Sequence, residues 1–150
     1  VKEDRGDISA GEIALAISTD HTFRIPAIRM AEARANHGGE TWMYEFDWKS
    51  KAFNGALGAC HALEIPFTFG TLGVNGTDVF LGTSELPHAL EDLMHKSWAA
   101  FIATGNPTTQ RLPEWPTYSP TSRTVMRFAD HTDLTHDPWP SARKSWEGIR

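Results

Sequence analysis

His61 and Glu64 are the residues whose types and setting best suit chemistry. His61 lies about a dozen residues past the end of an alternating aromatic run, and α/β sheets gather their sites at the carboxyl ends of strands. An imidazole titrates near pH ~6.5 when unperturbed, so a loop histidine in that place can take and return a proton. The local pattern also fits a packed histidine whose ring nitrogens are satisfied by backbone. Glu64 follows in a largely apolar run, where a carboxylate must be paired or neutralised if buried, and it can tune a site electrostatically. Its closeness to His61 makes it a poor choice for the carboxylate that orients the imidazole, which usually arrives from elsewhere in a fold.

Other segments imitate chemistry and have simpler readings. Asp7-Ile8-Ser9-Ala10-Gly11 ends like the G-x-S-x-G turn of a serine nucleophile, but Asp7 replaces the first glycine and the preceding residues are too charged for the buried strand that such a turn needs. The spacing of Ser9 and Glu12 reads instead as a helix capping box. His37-Gly38-Gly39 imitates an oxyanion loop, yet it precedes a strand where such a loop should follow one, and a helix-stop turn explains it better. Cys60 adjoins His61, but neighbouring side chains usually point apart, so the thiol reads as a small buried group. His88 and His95, and the cluster from His131 to Asp137, lack the compact spacing of a metal site and read as solvated polar residues.

Ordered elements must hold these residues in place. The capping box predicts a helix over Ala10–Ser18, broken at Thr19 or Asp20. A second helix carries Ile28, Ala31 and Ala33 and stops at Asn36-His37-Gly38-Gly39, where glycines permit positive φ. Trp42, Tyr44, Phe46 and Trp48 alternate with more polar residues, the period of a strand with one aromatic face. Leu57 to Gly70 is apolar without clean period and reads as buried irregular structure. After the glycine-rich stretch Leu72 to Gly82, a helix is expected from near Ser84, with Leu86, Leu90, Leu93, Met94, Trp98, Phe101 and Ile102 at helical spacing and Gly105 and Pro107 as its stop. Asn106 to Ser122 reads as loop, Thr124–Phe128 as a short strand, and a terminal helix from Ser141.

Composition narrows the class. The chain has 150 residues, 40% hydrophobic and 22% charged, with 14 Lys+Arg against 19 Asp+Glu and a formal charge of -5. That length supports one soluble domain burying roughly 70% of its unfolded surface without staples. The acidic balance and the lack of a basic cluster exclude nucleic acid as an expected partner. No apolar run approaches the ~20 residues needed to span a bilayer, and Val1–Arg5 is not followed by a signal-peptide apolar region, so no membrane association is expected. Cys60, the sole cysteine, gives no sign of an oxidising compartment; a cytoplasmic setting is expected, with secretion of the full-length protein left open.

Gly58-Ala59-Cys60-His61-Ala62-Leu63-Glu64-Ile65-Pro66-Phe67-Thr68-Phe69-Gly70 resembles the G-A-x-H-x-x-E-[IL]-P-[FY]-x-F-G signature around the catalytic histidine of type-B carboxylesterases, the family of cholinesterases and bacterial para-nitrobenzyl esterases. The segment Thr19 to Pro26 resembles the family's T-D-x-x-F-x-x-P segment, and Trp42 to Trp48 its strand before the histidine loop. Trp98 to Pro107 resembles the W-x-x-F-A-x-x-G-x-P helix end, and Trp115-Pro116-Thr117-Tyr118 the W-P-x-Y loop. The likeness spans nearly the whole chain with its motifs in order.

The resemblance implies an α/β fold: a single C-terminal segment of an α/β-hydrolase, comprising the last strands of the central sheet and their covering helices. It implies that His61 is the histidine of a Ser-Glu-His triad, with Glu64 matching the family's supporting glutamate. It implies a carboxylic ester as substrate and neither cofactor nor metal. In the family's order the oxyanion loop, nucleophile elbow and acid all precede the matched region, so these 150 residues are expected to lack them and to need the upstream portion as partner. Phe67, Phe69 and the glycine-rich stretch fit an apolar ester pocket, and the two phenylalanines fit core packing as well. An alternative is a catalytically silent cholinesterase-like fragment used for binding, against which His61 in its family position argues. Alone, the chain is expected to be inactive and to dimerise, swap or aggregate through an uncovered sheet face and edge.

Overall fold

In the computed structural model, which describes residues 2–74 and 76–149, Ser9 caps the first long helix in the reciprocal manner that its spacing from Glu12 predicts. The Ser9 hydroxyl accepts from the Glu12 amide at 3.3 Å, and the Glu12 carboxylate accepts from the Ser9 amide at 2.8 Å. A single turn, α1 (Lys2–Arg5), precedes this helix, α2, which runs Ala10–Thr19.

The expected break at Thr19 or Asp20 does not occur. Both residues keep right-handed helical backbone, and a π-helical turn, Asp20–Arg24, leads directly into α3, Ile25–Asn36. Aspartate breaks helices by competing for backbone amides, but the Asp20 carboxylate is 1% exposed and is taken by the Arg24 guanidinium one turn on, at 2.7 Å. α3 stops where expected, at Gly38 with φ of 75°.

The chain forms two units. The first comprises Val1–Met43, Thr117–Val125 and Thr135–Arg150, the second Tyr44–Pro116 and Met126–Leu134. In the first, Ala16, Ile25, Ile28 and Ala31 are buried with Ala142 of the terminal helix α7, Pro140–Ser145. Asp4 seats that helix, its carboxylate accepting from the Ser141 and Ala142 amides at 3.1 and 2.7 Å.

The second unit holds β1 (Tyr44–Phe46), a 3₁₀ turn (Ala52–Gly55), α4 (Ile65–Phe69), α5 (Thr77–Leu81) and α6 (His88–Thr104). β1 pairs in parallel with β2 (Thr124–Phe128), Tyr44 opposite Met126 and Phe46 opposite Phe128. With β3 (Asp133–His136) they form a three-stranded sheet in the order β1-β2-β3. Parallel strands require a long crossover, and both His61 and Glu64 lie on it. Leu63, Phe67, Leu72, Leu81, Met94, Met126 and Phe128 are at most 1% exposed and form this unit's core.

Several expectations are corrected here. Leu57 to Gly70 is neither irregular nor buried throughout: Pro66 sits in the first turn of α4, where its missing N–H costs nothing, and His61 is exposed. α6 starts at His88 and not near Ser84, because Pro87 holds Leu86 away from helical backbone. The glycine-rich stretch contains α5, too short for a period to reveal, and the polar cluster His131 to Asp137 contains β3. Asn75 of that stretch and Val1 of the N-terminal segment lie outside the described residues. Among the described residues no helix is long and apolar enough to cross a membrane.

Candidate active site

β1 delivers the chain to the site. Past its last residue, the Asp47 amide still donates to Phe128 carbonyl at 2.8 Å, and Trp48 is 4% exposed. The buried Ser50 then closes a loop, its amide donating to Gly58 carbonyl at 3.1 Å. The Ser50 hydroxyl donates to Phe80 carbonyl at 2.8 Å and accepts from the Ala52 amide at 3.0 Å, while the Lys51 amide donates to Leu81 carbonyl at 2.8 Å. Gly82 is obligatory to this clamp: its φ is 70°, and a Cβ there would overlap the Ala52 backbone.

His61 stands on the turn that follows. The Leu63 amide donates to Cys60 carbonyl at 3.2 Å, and Ala62 inside the turn has φ of 68°. A left-handed alanine costs about 1 kcal/mol and persists only where its surroundings dictate it. Here Leu63, with 0% exposure, is locked into the core on one side and the Ser50–Gly58 bridge holds the other, leaving His61 projecting to solvent between them.

Glu64 immediately precedes α4 and is half-buried. It lies close enough to Tyr44 to matter electrostatically: burial first, and the Glu64 charge second, push the Tyr44 phenol above its ordinary value, against a hydrogen bond with Trp98. The Tyr44 and Trp98 rings meet edge-on at 6.1 Å. Phe67, with no exposed surface, lies against Phe46 at 5.0 Å and Trp48 at 5.4 Å, so its ring touches the aromatic face of β1 and its continuation. Phe69, one turn end later, is 69% exposed.

The remaining residues singled out from the sequence lie apart from this arrangement. The Ser9 hydroxyl is occupied with Glu12, donating to its carboxylate at 2.7 Å. His37 Nδ1 sits 2.7 Å from Ala33 carbonyl at the end of α3, one of the carbonyls left open where the helix stops. Cys60 is a half-buried free thiol. His88 and His95 are not merely solvated: His88 Nδ1 lies 2.7 Å from the Glu91 carboxylate, and His95 Nδ1 lies 2.9 Å from Thr68 carbonyl. His136 Nδ1 likewise lies 3.1 Å from the Thr124 hydroxyl.

Sequence reasoning missed the hydrogen bonds of Ser50 and Glu91 and the contact of Tyr44 with Trp98. The alternating strand signalled Tyr44 as part of its aromatic face, but nothing local marks the bonds that Ser50 and Glu91 make to backbone groups distant in sequence.

Comparison with known proteins adds to this geometry. Residues 2–145 match the model of the carboxylesterase family. The chain is 33% identical over 138 residues to para-nitrobenzyl esterase of Bacillus subtilis, covering 89% of this chain and 27% of that protein. It is 34% identical over 118 residues to phenmedipham hydrolase of Pseudarthrobacter oxydans, covering 74% and 23%. Superposed on the crystal structure of a Geobacillus stearothermophilus carboxylesterase, EST55, it gives a TM-score of 0.80 at 31% identity over 94% of this chain and 29% of the other. The chain thus spans little more than a quarter of the length of these relatives.

Proposed function

The chain belongs to the carboxylesterase family and carries part of its α/β-hydrolase fold, and from that premise we propose that it supplies the histidine base of a serine carboxylesterase. The supporting observation is the exposed His61, held on a strained turn beyond the carboxyl end of the parallel strand β1. Its partners are a serine and an acidic residue contributed by an upstream portion of the enzyme, because Ser9, the one serine in an elbow-like sequence, is consumed as a helix cap.

In this reading His61 takes the proton of the serine hydroxyl as its oxygen attacks the ester carbonyl, then returns it to the departing alcohol. Water then attacks the acyl-enzyme with His61 accepting its proton, and the collapsing intermediate releases the carboxylic acid and regenerates the serine. Glu64 supports the site through its charge beside Tyr44, and Phe69 borders the acyl or alcohol pocket, with Phe67 holding the arm beneath it. The exposed apolar side chains of α6, Phe101 and Ile102, suit a face that the upstream portion covers, and that two copies of the isolated chain would share.

The test is mass analysis after treatment with a fluorophosphonate, which marks serines activated by a neighbouring base. The chain alone should take up no label, and a stoichiometric adduct on Ser9 or another serine would overturn the reading. Supplied with the upstream portion, the assembly should hydrolyse a para-nitrophenyl ester. His61→Ala should lower that turnover by at least ~10³-fold, and His37→Ala should leave it within about twofold.

A further inference from the structure

A stripe on α6 touches the histidine arm at successive points along both of its legs. Glu91, His95 and Trp98 recur at four- and three-residue spacing, which places them on one side of the helix. Trp98 meets Tyr44 on β1, the leg that leads toward His61. His95 Nδ1 lies 2.9 Å from Thr68 carbonyl, on the leg that leads away. The Glu91 carboxylate accepts from the Leu72 amide at 3.0 Å, where that leg enters the core, Leu72 being 1% exposed.

Glu91 is the least ordinary of the three. Its side chain is 14% exposed, one oxygen is committed to the Leu72 amide, and the other lies 2.7 Å from His88 Nδ1, one turn back on the same helix. An amide bonded to a carboxylate is held more strongly than one bonded to a neutral acceptor, and a carboxylate fixed from behind by an imidazole cannot easily swing away. Gly70, between the two lower contacts, has φ of 67°, and a Cβ there would stand 3.4 Å from His95 Nδ1, so the leg lies close along the helix.

We propose that Glu91 is a positioning residue for His61, with α6 as a straight edge that fixes both legs of the arm through Trp98, His95 and Glu91. The proposal rests on the reading of His61 as the catalytic base. Without Glu91 the lower leg loses its strongest hold on the helix, and an imidazole displaced by even 1 Å from its nucleophile loses much of its rate.

Two measurements separate this proposal from the one it rests on. In the 150-residue chain, Glu91→Ala should speed Leu72 amide exchange at least tenfold and lower the NMR order parameter of the His61 ring, with the His37 ring unchanged. Glu91→Gln, which keeps the acceptor oxygen, should restore exchange to within about threefold. Should Glu91→Ala fail to fold, His88→Ala, which removes only the group behind the carboxylate, should speed Leu72 exchange at least threefold. An unchanged His61 ring in Glu91→Ala, or unchanged Leu72 exchange in either alanine variant, overturns the proposal. In the assembly with the upstream portion, Glu91→Ala should lower kcat per fluorophosphonate-titrated site about tenfold and leave KM within about twofold. A loss confined to the number of titrated sites would make Glu91 merely structural and overturn its positioning role. Undiminished turnover in His61→Ala would instead defeat the base assignment while leaving the exchange result standing.

Discussion

The two units are held by different forces. In the first, guanidinium groups that are largely withdrawn from water carry the ion pairs: Arg24 pairs with Asp20, Arg123 with the distant Glu32, and Arg143 with both Asp137 and Glu147. In the second, the described ring contacts form a continuous chain, Trp98–Tyr44–Phe128–Trp115 along one path and Phe46–Phe67–Trp48 along another. Its ion pairs, such as Arg127–Asp133 and Lys96–Asp92, are more exposed. The site lies in the aromatic unit. Packed rings respond weakly to pH and salt, whereas surface and half-buried ion pairs respond to both.

That contrast can be broken at its strongest point. Phe67→Ala removes a fully buried ring from between Phe46 and Trp48 and should destabilise the second unit by about 3–5 kcal/mol. Amide exchange should rise through Tyr44–Pro116 first; an equal and simultaneous rise in Val1–Met43 would mean that the two units unfold as one. Gly82→Ala and Gly38→Ala provide a smaller, paired test. Both glycines have positive φ, but only at Gly82 would a Cβ overlap backbone. Urea melts should show a loss of about 3 kcal/mol at Gly82 against about 1 kcal/mol at Gly38.

The mildest expected effect is acid lability of the charged unit. The Arg143 guanidinium, by hydrogen bond and charge, holds the Asp137 carboxyl below the usual carboxylate range against a smaller opposing effect of burial. A lowered folded-state pKa gives stability that is full above the unfolded value of about 4 and is lost as pH falls through the folded value. Between pH 5 and 2 the first unit should therefore lose more protection in the parent than in Asp137→Asn, which starts weaker at pH 7 and changes less. The Asp133 carboxyl is lowered in the same way by Arg127, but with both side chains more than a third exposed its effect should be smaller.

Much of this was decided by local chemistry. The Ser9–Glu12 cap, the stop at Gly38, the run Thr124–Phe128 and the end of α6 at Gly105 each depend on neighbours within a few residues, and each was legible for that reason. The motif around His61 identified the family because nine specified residue types in fixed order carry it. Tertiary structure alone decided the rest. Asp20 continues a helix because a paired, buried carboxylate no longer competes with the backbone. Ala62 accepts a left-handed conformation because Leu63 and the Ser50 bridge pull the chain to either side of it. Glu91 and Ser50 act on an amide 19 residues away and a carbonyl 30 residues away, and a backbone group has no side-chain identity through which a sequence can announce its partner.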